Sequence, residues 1–214
     1  LIINGAECEP YITSDYRCFM EEGEDVLEGV LLMLKYLGIP KCVIGIEKNK
    51  PKAIEKMTRL CEKHDNITVK PLKSSYPQGA EKTLIFSTTG RVVKEGTLPL
   101  ASGCIVINSS TAAFIAQYIR TGMPLVKRRI TVDGNIVKKP SNFIVPVGMS
   151  IGEIVYYAEL SDKPDRIILG GPMMGACAFD PDYPLSKTNN AVLMFADSPV
   201  YEPSDCIRCG KCVK

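Results

Sequence analysis

Three of the nine cysteines lie close together near the end of the chain, at Cys206, Cys209 and Cys212. Two residues separate each cysteine from the next, which is the spacing that opens the iron–sulfur binding run of bacterial ferredoxins. Structural zinc instead favours paired cysteines or distant histidines, and His64 is the only histidine of this chain. The spacing therefore predicts iron–sulfur ligands rather than a zinc site.

A second group of chemically useful residues lies in the stretch "INGAECEPYITSDYR" at 3–17. Asn4 ends a predicted strand, and two acidic residues, Glu7 and Glu9, follow it in the predicted loop. Carboxylates at such a strand end accept hydrogen bonds from ribose or ribityl hydroxyls, or from a ring N–H. A solvated acidic turn is the alternative interpretation.

The stretch "SYPQGAEKTL" at 75–84 forms a second candidate loop. Gly79 permits close approach of a backbone, and Glu81 and Lys82 flank the predicted start of a helix. Because a helix N-terminus favours an anion, a phosphate group is one ligand that this loop could take. The alternative is a simple turn that leads into a helix.

A third candidate is the stretch "VINSSTAAF" at 106–114. A predicted strand ends at Asn108, and Ser109, Ser110 and Thr111 then open a helix. Their hydroxyls and free N–H groups have the character of a phosphate-binding turn, although the stretch matches neither a P-loop nor a Gly-x-Gly-x-x-Gly motif. An ordinary Ser/Thr helix cap is the alternative.

Alternating strand and helix patterns precede and position these loops. The predicted strands are 1–4, 42–47, 66–72 and 104–108, and the predicted helices are 25–37, 51–63, 79–88 and 109–122. In the first of these helices, Asp25 is the predicted cap and Gly38 the predicted stop. Repeated strand–helix units predict an α/β fold with a parallel sheet, in which ligands bind beyond the carboxyl ends of the strands.

The pattern changes from about residue 126 onward. Alternating strands, a turn at 133–135, a helix begun by Ser150 and a strand leading into the loop "GGPMMG" at 170–175 predict a small β-grasp-like unit. A further strand is predicted at 191–195 within mostly connecting chain.

Bulk properties exclude several classes of function. The net charge of +2 gives no support for nucleic-acid binding, and no apolar run reaches the length that spans a bilayer. The chain opens at Leu1, without Met, inside a strand pattern, so we expect a fragment that lacks residues at both ends. The six scattered cysteines are typical of reduced thiols rather than of a disulfide framework.

Five stretches together resemble the C subunit of the Rnf electron-transport complex: "INGAECEPYITSDYR", "GIEKNKPKAIE", "YPQGAEKTLI", "GGPMMG" and "CIRCGKCVK". That family is similar to the flavoprotein subunit of respiratory complex I, which holds FMN and accepts hydride from NADH. The resemblance implies four parts. These are a Rossmann-like parallel-sheet nucleotide and flavin domain at 1–125, a β-grasp domain of the SLBB type at 126–180, a return strand and linker at 181–205, and the start of a ferredoxin-like iron–sulfur domain at 206–214.

The resemblance also implies roles for single residues in the first two loops. Asn4 and Glu7 match the loop that holds the flavin, and Glu9 matches the acidic residue placed near the nucleotide. Glu81, which follows Gly79, matches the acidic residue of the second nucleotide-site loop.

In the third loop, Asn108, Ser109 and Thr111 match the turn that grips the flavin phosphate and ribityl chain. The resemblance implies two [4Fe–4S] clusters in the full-length protein. The three matching ligands of the first cluster are Cys206, Cys209 and Cys212. In this fragment we expect these cysteines to be metal-free, because a fourth ligand and the surrounding fold are missing.

The sequence departs from the family pattern at three places. Ala6 stands where the complex I flavin loop carries an aspartate, which removes one hydrogen bond to the flavin. The turn at 108–111 has two serines where the relatives tend to have a smaller, glycine-containing turn. The glycine-rich flavin loop of the family would lie upstream of Leu1.

The implied function is that of an electron-transfer flavoprotein subunit in a membrane-associated, ion-translocating NAD:ferredoxin oxidoreductase. It would pass electrons between NAD(H), FMN and [4Fe–4S] clusters. The implied partners are Rnf-type membrane subunits, NADH, and ferredoxin or another acceptor, at the cytoplasmic face of the cell membrane. Two alternatives stay open: a soluble reductase similar to cobalamin reductases or amino-acid-reductase proteins, and a docking module with a vestigial nucleotide site.

Overall fold

The structure is a computed structural model that describes residues 1–196 and 205–210. Its first unit is built on four strands, which are β1 (Ile2–Gly5), β2 (Cys42–Glu47), β3 (Ile67–Leu72) and β4 (Val106–Asn108). The order across the sheet is β3–β2–β1–β4, and all three pairings are parallel. The predicted parallel sheet is therefore confirmed.

Four helices cover this sheet: α1 (Ser14–Tyr36), α2 (Pro51–Cys61), α3 (Glu81–Thr89) and α4 (Ser109–Thr121). A 3-10 turn at Pro99–Ser102 precedes β4. Ile3 and Ile44 of the central strands pack with Phe19, Met57 and other buried side chains of the helices. Burial of each such side chain stabilises the fold by roughly 1.5–3 kcal/mol. This core fixes where the strands end and where α1 and α4 begin.

Helix α1 begins eleven residues before its predicted start. Asp25 is not its cap, because it lies inside the helix and accepts a 2.6 Å hydrogen bond from Arg120 of α4. The first turns carry few apolar residues in a helical period, so the pattern alone did not reveal them. A local departure from helical angles at Glu22 divides the two stretches. The helix ends before Gly38, which has a φ of +63° and is the predicted stop.

Helices α1 and α4 approach closely at Gly29. An added Cβ there would overlap the backbone carbonyl oxygen of Ala112, which cannot move without shifting α4. We expect Gly29→Ala to lower the free energy of unfolding by about 1–3 kcal/mol, although alanine has the higher helix propensity. Gly23→Ala in the same helix is the matched control, because its Cβ would meet only side-chain ends of α2 such as Leu60. Chemical denaturation of the full-length variants measures the difference, and equal stability of the two would contradict the expectation.

The second unit is a mixed sheet with one helix. Its strands are β5 (Lys127–Asp133), β6 (Ser141–Pro146), β7 (Arg166–Leu169), β8 (Ala176–Ala178) and β9 (Ala191–Phe195), and its helix is α5 (Ile151–Tyr157). The order is β6–β5–β9–β7–β8, with β5 and β9 parallel and the other pairs antiparallel. The predicted strand at 191–195 thus lies at the centre of this sheet. The SLBB assignment and the domain boundaries stay predictions.

Side chains from the second sheet hold the segment that leads into α1. The backbone N–H of Thr13 donates to Thr131 Oγ1 at 3.0 Å, and Asn142 Nδ2 donates to Thr13 Oγ1 at 2.8 Å. Arg129 of β5 donates to Glu22 of α1 at 2.7 Å. Through these contacts the second sheet packs against the loop that follows β1.

Candidate functional site

A cleft of about 320 Å³ opens beyond the carboxyl ends of β1 and β4. After β1 the chain builds β2 and β3 on one side and then returns to place β4 on the other, so the strand order reverses between β1 and β4. Open α/β sheets bind ligands at such a point. Five of the predicted site residues line this cleft, namely Asn4, Glu7, Glu9, Gly79 and Asn108.

Asn4 joins the loop after β1 to the loop that precedes α3. Its Nδ2 donates to the carbonyl oxygen of Gly79 at 3.0 Å, and its Oδ1 accepts from the N–H of Ala6 at 3.1 Å. An added Cβ on Gly79 would overlap the carbonyl oxygen of Ala6. The close approach that the sequence predicted at Gly79 is therefore an approach between two loops of the protein.

Glu7 supplies the N-terminal cap of α1 from outside the helix. Thr13, at the cap position, makes no side-chain cap bond. The carboxylate of Glu7 instead accepts from the N–H groups of Asp15 and Tyr16, at 2.7 and 3.3 Å, and from Lys50 Nζ at 3.0 Å. The two oxygens of this buried side chain satisfy free N–H groups of the first turn and so fix where α1 begins.

Burial raises the pKa of Glu7 from 4.5 to about 7, with a further rise from the charge of Asp15. Lys50 opposes this shift. Burial also raises the pKa of Asp15, against hydrogen bonds from Asn108 and Ser109 and the charges of Arg128 and Lys50. The two carboxyl groups therefore disfavour simultaneous ionisation at the floor of the cleft.

This shift makes stability depend on pH. Since the folded pKa of Glu7 lies above the unfolded value of 4.5, the folded state binds the proton more tightly. The resulting stabilisation is fully present below about pH 4.5 and is lost as the pH rises through about 7. We expect Glu7→Gln to flatten the pH dependence of the thermal midpoint of the full-length protein across this window. The exposed Glu55→Gln is the control, and an unchanged pH profile in Glu7→Gln would contradict the assignment.

Asp15 connects α1 to the turn that opens α4. Its carboxylate accepts from Asn108 Nδ2 at 3.1 and 3.2 Å and from Ser109 Oγ at 3.2 Å. Asn108 Oδ1 in turn accepts from the N–H of Ser110 at 2.9 Å and so caps α4. Both polar atoms of Asn108 are therefore fixed by neighbours at the mouth of the helix.

The remaining predicted cofactor residues lie outside the wall of this cleft. Ser109 is fully buried and donates to Asp15, Glu81 is exposed in the first turn of α3, and Thr111 is exposed in the first turn of α4. Thr111 borders a second cleft of about 460 Å³, which Lys127 and Arg128 also line. Their roles toward a cofactor stay predictions.

Glu9 lines the cleft and binds the second unit through one of its two carboxylate oxygens. Its Oε2 accepts from the backbone N–H of Met173 at 2.9 Å, whereas its Oε1 is buried without a partner among residues 1–196 and 205–210. This oxygen has almost no accessible surface, so a ligand could reach it only after the side chain moved. The N-terminus of α4, which favours a phosphate, and the polar side chains that line the cleft together fit a nucleotide.

Two of the three predicted metal ligands, Cys206 and Cys209, are exposed and free, and Cys212 lies outside the described residues. Within the described part of the chain, no group of three or more His, Cys, Asp or Glu side chains is arranged to hold a metal ion.

Sequence reasoning did not single out several residues of the site. Asp15 lies within the first quoted stretch, and Lys50 within a stretch that follows β2, so both could have been found from the rule that strand ends carry ligand groups. Met174 and Asn190 also line the cleft, but they come from the second sheet. No local pattern indicates that the second sheet contributes to the site.

Comparison with known proteins identifies a family for the first unit and a similar fold for most of the chain. Residues 1–117 match the profile of a family described as the Nuo51 FMN-binding domain. The fold is similar to a chain of an NAD⁺-reducing [NiFe]-hydrogenase in its H₂-reduced state, with a TM-score of 0.75 and 18% identity over 91% of this chain and 40% of that one. At that identity the likeness concerns the fold, and it confirms the Rossmann-like α/β unit with a second sheet.

Curated relatives match along the entire chain. It is 41% identical to the C subunit of the proton-translocating ferredoxin:NAD(+) oxidoreductase complex of Clostridium ljungdahlii, and 39% identical to the Na(+)-translocating counterpart of Acetobacterium woodii. It spans 47% and 49% of these relatives, about half of their length. The predicted resemblance to the C subunit of such complexes is confirmed. Since the family profile covers more than half of the 214 residues, the chain belongs to the family of the Nuo51 FMN-binding domain.

Proposed function

We propose that the full-length protein is the C subunit of an ion-translocating ferredoxin:NAD⁺ oxidoreductase complex, in which it passes electrons between NAD(H), FMN and [4Fe–4S] clusters. The observation that carries this proposal is the cleft where the strand order reverses, which five of the predicted site residues line. The family of the chain and the names of its relatives agree with it.

In this proposal the chain supplies binding and orientation, while a bound flavin would supply the exchange between two-electron and one-electron chemistry. The first turn of α4 would hold the phosphate, because its N–H groups and the helix dipole favour an anion, and Asn108 would cap that turn. Asn4 and Glu7 would hold the loops of the cleft in place, since their polar atoms bind other parts of the protein.

Further parts of the proposal concern Cys206, Cys209 and Cys212, which would bind one iron–sulfur cluster in the full-length protein. Ferredoxin or another acceptor and the other members of the complex would be the partners. The site of action would be the cytoplasmic face of the membrane, reached through those membrane partners. None of the helices within residues 1–196 and 205–210 has the length and apolar character needed to cross a bilayer.

Anaerobic purification of the full-length protein tests the proposal. We expect bound FMN, two iron–sulfur clusters, and loss of the flavin absorbance on addition of NADH. Protein that carries clusters but no flavin would overturn the hydride step. Protein with neither cofactor would favour a docking module instead.

A further inference from the structure

A groove separates helix α4 from the edge of the second sheet. The second cleft, of about 460 Å³, continues into a hollow of about 530 Å³, because Phe114, Gln117, Leu125 and Lys127 line both. Helix α4 forms one wall, and the segment 123–127 with β5 and β6 forms the other. We call this feature the α4–β6 groove. It shares no lining residue with the cleft of the candidate site.

The α4–β6 groove carries a group of exposed apolar side chains. Met123, Val126 and Ile144 line it, with 59%, 47% and 58% of their surface exposed. The half-buried side chains of Phe114 and Leu125 line it as well. Single exposed apolar side chains are ordinary on a protein surface, whereas a group that shares one groove marks an interaction site.

Strand β6, on the wall of this groove, is the edge of its sheet. It pairs with β5 on one side, and no other strand of residues 1–196 pairs with it. Backbone N–H and C=O groups on its outer side are therefore open to a further strand, over the stretch that Pro140 and Pro146 bound. A polypeptide strand can satisfy these groups, whereas lipid chains cannot.

The charge of the α4–β6 groove favours an acidic occupant. Lys127 is exposed, and within the described part of the chain no carboxylate pairs with it. The carboxylate of Glu22, which also lines the groove, is already paired with Arg129 at 2.7 Å. A second copy of this chain, related by a two-fold axis, would bring Lys127 against Lys127. A carboxylate on a different polypeptide is the better complement.

We propose that the α4–β6 groove is the docking site for an extended, acidic segment of another subunit of the complex. The segment would add a strand at the edge of β6, pack an apolar side chain against Phe114 and Ile144, and place a carboxylate at Lys127. This inference goes beyond the proposed function and rests on it for the existence of a complex.

Site-specific photo-cross-linking of the full-length protein, coexpressed with the other subunits, tests the inference. Benzoylphenylalanine replaces Ile144 in one protein and Tyr156, which is 81% exposed on α5, in the matched control. We expect cross-links from position 144, and none from position 156, to an acidic segment of one identified subunit. Cross-links from position 144 only to a second copy, only within the same chain, or to nothing would overturn the inference.

Two substitutions measure the contribution of the groove. We expect Ile144→Glu and Lys127→Glu each to raise the dissociation constant for the cross-linked subunit at least tenfold, because each opposes an acidic partner. Tyr156→Glu is the control for adding an exposed carboxylate. FMN content and the thermal midpoint of the isolated protein should stay near wild type, since neither side chain lines the candidate site. Wild-type affinity in both variants would overturn the inference.

Hydrogen exchange tests the strand pairing separately from activity. Binding of the partner subunit should lower deuterium uptake in the peptide that contains residues 142–145, and unchanged uptake there would contradict an added strand.

The outcomes also separate this inference from the proposed function. If NADH reduces the wild-type flavin and both charge variants assemble like wild type, the docking site is wrong and the proposed function stands. If the groove binds the subunit but the protein holds no flavin, the hydride step fails and the docking site stands.

Discussion

Replacing Asp15 by alanine should release FMN from the full-length protein and lower its thermal midpoint by about 5 °C. The carboxylate of Asp15 is the shared acceptor for Asn108 Nδ2 and Ser109 Oγ, so its loss leaves these donors unpaired in partly buried surroundings. Hydrogen bonds to a charged group contribute about 1.5–3 kcal/mol each, and part of that is recovered from water. The freed Asn108 would no longer be fixed at the turn that opens α4.

Asp15→Asn gives a sharper version of the same test. The amide preserves the size of the side chain, but its own NH₂ group cannot accept the hydrogen bonds that Asn108 and Ser109 now donate. Asp65→Ala, at an exposed position after α2, is the control for loss of a carboxylate. FMN content per chain and the melting curve measure the effect. Full retention of FMN by both Asp15 variants would show that this connection does not support the proposed flavin site.

Gly79→Val should weaken FMN binding at least tenfold, which is about 1.4 kcal/mol. Any Cβ at this position overlaps the carbonyl oxygen of Ala6, and a branched side chain adds further contacts that the backbone must avoid. The loop that precedes α3 would have to move away from the loop that follows β1. That movement would break the hydrogen bond from Asn4 to Gly79 and open the cleft on one side.

Ser75→Val is the matched control for this substitution. Ser75 is exposed on the same loop and does not line the cleft, so a β-branched side chain there meets no backbone of the site. Equilibrium titration of FMN into deflavinated full-length protein gives the dissociation constants. Equal affinities of the Gly79 and Ser75 variants would contradict the view that the two loops form one side of the flavin site.

Much of the first unit could be predicted because its strands are short apolar runs between helical patterns. The strand at 42–47 is one example, and the helix that Asn108 caps and Gly122 ends is another. The start of α1 could not be predicted in this way. Its cap is the carboxylate of Glu7, eight residues before Asp15, and no local capping motif indicates a partner at that distance.

The candidate site likewise has a part that could be predicted from the sequence and a part that could not. The rule that parallel strands end at one edge of the sheet brought Asn4 and Asn108 together, and the structure places both at one cleft. The contact between Glu9 and Met173 joins residues 164 positions apart, so only the packing of the two sheets creates it. Central placement of β9 in the second sheet was likewise set by long-range pairing rather than by its own apolar pattern.

The most direct test of the central claim is the location of FMN in the full-length protein, determined from a crystal or cryo-electron microscopy structure of anaerobically purified material. We expect flavin density beyond the carboxyl ends of β1 and β4, with the phosphate at the first turn of α4 next to Asn108. FMN bound at another place, with this cleft empty, would contradict the claim.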